Sequence, residues 1–160
     1  MTGYELIVYI HILAAMVWVG GILFLSLVVV PASRRYPEDV RARLFTDVGR
    51  RFRNVGWTAL GILVVTGAIQ MAARGATLAS VLDGTFFDSR WGRVMGAKLL
   101  AVFVMMLLTA LHDFVAGPAA ERAARSGADA TTLRRRSGHL ARLTALLALV
   151  VVFLAVQLVR

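Results

Sequence analysis

The sequence predicts an all-α integral membrane protein, a bundle of four transmembrane helices forming one domain over residues 1–160. Three observations predict it. Of the 160 residues, 59% are hydrophobic, against about 45–50% in soluble domains, and the mean hydropathy is +0.74. The excess is gathered into four runs, at about 5–30, 54–73, 94–116 and 139–159, each close to the ~20 residues that cross a bilayer as a helix. The 18 Lys and Arg residues, which bring the net charge to +9, lie mostly between the runs.

The first run reads as a retained helix rather than a cleaved signal. It has no basic leading segment, its early charge is Glu5, and its apolar core exceeds the ~7–15 residues of a signal peptide. Pro31 and Pro37 are expected to break it. From Glu38 to Arg53, Val40, Leu44, Val48 and Phe52 recur every four residues with charges between them, which predicts a short amphipathic helix at the cytoplasmic interface. The second run, "WTALGILVVTGAIQMAA", follows. The loop "RGATLASVLDGTFFDSRWG" is punctuated by Gly, Ser and Asp and places Trp91 at an interface. The third run, "RVMGAKLLAVFVMMLLTALHDFVAG", is expected to end at Gly117 and Pro118. A polar, partly helical segment leads to the fourth, "HLARLTALLALVVVFLAVQLV". No short internal repeat is evident. Small residues are frequent inside the runs, among them Ala14, Gly20, Gly21, Gly61, Gly67 and Ala101, and they let helix backbones approach closely. Gly92 and Gly96 form GxxxG, a motif also found in helix dimers, which leaves a homo-oligomer open.

Charge sets the expected orientation. Arg34, Arg35, Arg41, Arg43, Arg50, Arg51 and Arg53 separate the first two runs, and Arg122, Arg125, Arg134, Arg135 and Arg136 separate the last two. The middle loop has chiefly Arg74 and Arg90, beside Asp83 and Asp88. Loops rich in Lys and Arg stay cytoplasmic, so both termini are expected outside. The arginines then face the lipid bilayer and its anionic headgroups, and nucleic acid is not an expected partner. The absence of cysteine excludes disulfides, thiolate metal sites, iron–sulfur clusters and c-type haem attachment. Motifs for hydrolysis, phosphate cradling and zinc proteolysis are absent as well.

Few polar side chains fall inside the runs. At ~1.5 Å per residue, His11 lies ~9 Å below the outer end of the first helix. Gln70, Lys98 and Gln157 also fall in the outer halves of their helices, giving one polar residue per helix at a similar depth. Asn54, His112, Asp113 and His139 form a second layer near the cytoplasmic side. Lys98, Met105, Thr109, His112 and Ala116 make one stripe at helical spacing. His139 and Gln157 share a face, as His11 and Trp18 nearly do. A charge near the middle of a span costs ~2.5–3.5 kcal/mol on insertion scales, so these stripes are expected to face the bundle interior. Each residue also has an ordinary structural role open to it. His11 and His112 can bond a neighbouring helix or residue, His139 stands at a wet boundary, Lys98 can snorkel outward, and Gln70 and Gln157 can join helices. Met71, Met95, Met105 and Met106 can fill core space.

Three chemistries fit this set. Copper suits imidazole and thioether ligands, here His11, Met71 and Met95, although a charged Lys98 nearby would repel a cation. Haem suits a bundle with inward histidines. The depths separate His11 from His112 by ~18 Å, so they do not share one iron, whereas His112 with His139, or His11 alone, could serve. Lys98 could then pair with a porphyrin carboxylate. In the third reading the polar residues only hold helices together, in a non-catalytic assembly subunit.

The segments "HILAAMVWVGG", "RFRNVGWTALGILVVTG" and "WGRVMGAKLLAVF" resemble the copper resistance D (CopD) family of bacterial inner-membrane proteins over most of the chain. The resemblance implies copper uptake, tolerance or homeostasis, a periplasmic copper-binding partner, and roles for His11, Trp18, Thr66, Gly67 and Lys98. The same skeleton is similar to HemJ-type protoporphyrinogen oxidase in His11, Trp18, "AKL" at 97–99 and His112. That likeness implies haem b and an oxidoreductase. The sequence departs from it at Asp113, where that family tends to place a second histidine, and "VVTG" fits the copper family better.

Overall fold

The computed structural model describes residues 2–125 and 131–159, and the side chains of Arg125 and Arg134, counted among the loop arginines above, lie outside what it describes. The described residues are almost wholly helical and contain no strand. Four helices are long and apolar enough to cross a membrane. They are α1 (Gly3–Ser33), α2 (Glu38–Ala73), α4 (Arg90–Ala123) and the last, α5, whose apolar part is Arg135–Gln157 within a helix running Thr131–Gln157. The short α3 (Leu78–Leu82) lies in the loop between α2 and α4.

Local chemistry explains the ends. The Thr2 hydroxyl accepts the Glu5 N–H at 3.2 Å, and the Glu5 carboxylate accepts the Thr2 N–H at 2.8 Å. Reciprocal bonds of this kind satisfy donors that a helix start leaves open. Thr77 and Ser80 make the same box for α3, and the Ser89 hydroxyl caps α4 by accepting the Gly92 N–H at 2.9 Å.

Two helices outrun their expected ends. Pro31 does not stop α1. A π turn at Leu25–Val29 precedes it, and the helix continues to Ser33. Proline lacks the N–H that would bond four residues back and its ring crowds that carbonyl. The wider turn absorbs both effects. Likewise a π turn at Leu111–Ala116 precedes Pro118, and helix continues over Gly117–Arg125. The amphipathic segment from Glu38 is not a separate interfacial helix either. It is the first part of α2, whose 36 residues form one unbroken rod. At ~1.5 Å per residue that rod exceeds the ~30 Å hydrocarbon core by several turns.

The chain divides into two compact units, Met1–Phe86 and Phe87–Arg160. In the first, α1 packs on α2 along a stripe of Ala14, Trp18, Gly56, Ala59, Leu60 and Thr66, all buried. The pairing is antiparallel. Trp18 lies over Gly56, where a Cβ would stand 3.5 Å from the indole Cδ1. The Phe52 ring fills the space above Gly21 so tightly that any side chain there would overlap it. In the second unit, α4 packs on α5, with Met105, Thr109, Thr144 and Ala148 buried. Gly92 is buried and Gly96 lies under the Phe87 ring, 2.7 Å from a Cβ built there. The GxxxG pair is thus used inside this unit. Outward residues such as Met16, Leu27, Val65, Leu100, Phe103, Leu146 and Phe153 are exposed and apolar, as a lipid-facing surface requires.

Candidate intramembrane histidine sites

His11 stands one turn before Ala14 and two before Trp18, so the packing that buries those residues turns it toward α2. Its Nδ1 lies 2.7 Å from the Thr66 hydroxyl oxygen. That hydroxyl donates its own proton to the Ile62 carbonyl at 2.6 Å, because a carbonyl can only accept. The Thr66 oxygen therefore accepts from His11, and Nδ1 carries the imidazole proton. In the neutral ring the lone pair would then fall on Nε2, as in a histidine whose second ring nitrogen is held by a hydrogen bond. Gly67 is the next residue, and a Cβ there would stand 3.5 Å from His11 Cε1. The ring rests against this glycine.

One turn further along α2, Gln70 follows Thr66 and Met71 follows Gly67, each four residues on. Both are half-buried. The Gln70 amide nitrogen is buried and has no hydrogen-bond partner among the described residues, which is costly in an apolar setting. The first unit thus carries an imidazole on α1 against Thr66 and Gly67 of α2, and an amide and a thioether on the next turn of α2.

The second unit contains the other expected residues. His112 and Asp113 lie in the π turn of α4, with Nδ1 and Oδ1 at 2.8 Å. Adjacent residues on a regular α-helix point apart, and the wider turn lets these two meet. His112 is 34% exposed at its side chain and Asp113 16%. Met105 and Thr109, on the same stripe as His112, are buried as expected. Met95, Lys98 and Gln157 are half-buried. His139 is exposed. His139 and Gln157 each lie nine residues from the buried Ala148, about half a turn round the helix, and so off the face that packs on α4. Among the described residues no group of three or more His, Cys, Asp and Glu converges on a point.

Phe52 was legible only as part of an apolar stripe. Its place between Gly21 and Gly56 follows from the antiparallel register, which pairs positions 21 with 52, 18 with 56 and 11 with 66. A histidine and a glycine at matching points of two consecutive spans are the signal that could have located it.

Four long apolar helices, largely unburied on their outer faces and bearing a few inward polar groups, define a multi-pass membrane protein. A family model described as "Copper resistance protein D" (CopD) matches residues 46–158, and the chain belongs to that family. The matched stretch includes Thr66, Gly67, Gln70, Lys98 and His112, while His11 and Trp18 precede it. The chain is also 36% identical over 114 residues to an uncharacterized protein of Aquifex aeolicus (strain VF5), covering 71% of this chain and 70% of that one. No solved structure matches.

Proposed function

We propose that this copper-resistance-related membrane protein binds Cu(I) as cargo at the His11 site, in copper transport or homeostasis. The observation that carries the reading is the Nδ1–H···Oγ1 bond from His11 to Thr66, which presents Nε2 as a ligand atom inside an apolar helix pair. Met71 supplies a thioether one turn away, and imidazole with thioether is a donor set that suits copper. The description of the family supports the same cargo. The buried Gln70 amide nitrogen can donate to an acceptor that accompanies the ion, such as a water or an anion.

Within this reading the protein resides in the bacterial cytoplasmic membrane with both termini outside, as the arginine-rich loops favour, so His11 and Gln70 lie toward the external face. A periplasmic copper-binding protein is the fitting donor or acceptor. The test is a Cu(I) titration of the purified chain against a colorimetric chelator, without oxygen. The wild type is expected to take up copper, and His11→Gln to lose that uptake while keeping its helicity. Equal uptake by both would remove His11 from the function.

A further inference from the structure

The end of α2 fixes where the following loop can go. The Gly75 N–H bonds the Ala72 carbonyl at 3.0 Å and the Ala76 N–H bonds the Met71 carbonyl at 3.1 Å, with Gly75 at φ +81°. This paired turn closes a helix and satisfies carbonyls that the helix end leaves open. It also ties Ala76 to the level of the last turn of α2. Thr77 caps α3 directly afterwards. Leu78 follows Ala76 by two residues, so their Cα atoms stand at most ~7 Å apart. The apolar run of α2 ends at Ala73, and the headgroup layer beyond a hydrocarbon core is roughly 5–8 Å deep. Leu78 therefore stands at that layer, with Leu82 one helical turn away.

α3 presents its sides in the reverse of the order that water favours. Leu78 and Leu82 share one face and are 76% and 78% exposed. Ser80, on the opposite side, is half-buried. Two leucines left in water forgo the burial that stabilises apolar side chains. The polar groups at both ends of α3 are meanwhile satisfied within the loop. The Ser80 hydroxyl accepts the Thr77 N–H at 3.1 Å and donates to the Thr77 carbonyl at 2.9 Å, and the Thr77 hydroxyl accepts the Ser80 N–H at 3.1 Å. Beyond the helix, the Asp83 carboxylate accepts the Thr85 N–H and hydroxyl. A segment that meets lipid must satisfy its backbone in this internal way.

We propose that α3 is a membrane anchor, with Leu78 and Leu82 seated against acyl chains at the headgroup boundary beside the end of α2. Two features select lipid over a soluble protein as the occupant. The glycine turn holds Leu78 at membrane level, and α3 contains no charged side chain that would oppose entry into the boundary or orient a polar partner. An amphipathic helix lying in the interface is held by such an apolar face. Through the bond from Ala76 to Met71, the anchor steadies the last turn of α2, which carries Gln70 and Met71. It does not depend on which cargo the His11 site takes.

The chain has no cysteine, so a spin label can be placed at one position at a time. The test uses Leu78→Cys, Leu82→Cys and Asp83→Cys of the full chain, labelled and reconstituted in vesicles of phosphatidylethanolamine and phosphatidylglycerol, with helicity checked by circular dichroism. Relaxation by oxygen, which concentrates in lipid, is compared with relaxation by a chelated nickel complex, which stays in water. Labels at 78 and 82 are expected to favour oxygen, and the label at 83 to favour nickel. Nickel access at 78 and 82 equal to that at 83 would put the leucines in water and overturn the anchor. Exclusion of both reagents from 78 and 82 would put them under protein, a second copy or the rest of the chain, and would overturn it as well.

Discussion

Replacing Thr66 by Val tests the geometry of the His11 site with the least disturbance. Valine keeps the branched shape and exchanges only the hydroxyl for a methyl. The Ile62 carbonyl loses the hydroxyl proton it accepted at 2.6 Å but keeps its ordinary helical N–H partner, so it is not orphaned. The loss falls on His11, whose Nδ1–H no longer has its acceptor at 2.7 Å. A buried donor without a partner costs about 1–3 kcal/mol. The ring can relieve this by turning or by moving the proton to Nε2, and either change spoils Nε2 as a ligand. Loss of such an outer partner typically lowers metal affinity 10- to 100-fold. The assays are nitrogen NMR of labelled histidine, which distinguishes the two tautomers, and Cu(I) competition. Thr66→Ser keeps the hydroxyl and should restore both. A Thr66→Val protein with the Nδ1–H tautomer and wild-type copper affinity would refute the reasoning.

Gly21→Val should destabilise the first helix pair by about 1–3 kcal/mol, the usual cost of overpacking, since the Phe52 ring occupies that space. Phe52→Ala in the same chain should recover part of the loss, read as non-additive melting temperatures in detergent. Gly117→Ala should disturb the π turn, because its Cβ meets the His112 carbonyl at 3.0 Å, and backbone NMR shifts at 111–117 should report it. In the loop, Asp83 accepts the Thr85 hydroxyl at 2.7 Å and the Thr85 N–H at 2.9 Å, which lowers its carboxyl pKa below 3.8. The bonded form contributes above the unfolded value and is lost as pH falls through the lower folded value. Thr85→Ala should therefore raise the Asp83 titration midpoint seen by carbon NMR.

The spans were legible because apolar run length is a direct consequence of bilayer thickness. Their ends were not. Pro31 and Gly117–Pro118 read as stops, yet each is carried by a π turn, which sequence spacing does not announce. The segment from Glu38 read correctly as a helix with an apolar stripe. Its fusion to the second span was hidden, because polar residues at 50–54 look like a boundary whether or not the backbone continues. At the site, the face of His11 followed from its spacing to Trp18, and Thr66 and Gly67 came from the family resemblance. That the hydroxyl fixes the tautomer needed coordinates, since it depends on which carbonyl takes the hydroxyl proton. The face shared by His139 and Gln157 was read correctly. That face lies half a turn from the buried Ala148, and helical phase alone does not say which side meets the neighbouring helix.

The most direct test of the central claim is the metal content and reduced-minus-oxidised absorption spectrum of the chain purified in mild detergent from copper-supplemented cells. The copper account predicts bound copper that falls in His11→Gln, with no Soret or b-type α band. A Soret band with a b-type α band, lost with His11→Gln and unaccompanied by copper, would contradict it and make the protein a haem carrier.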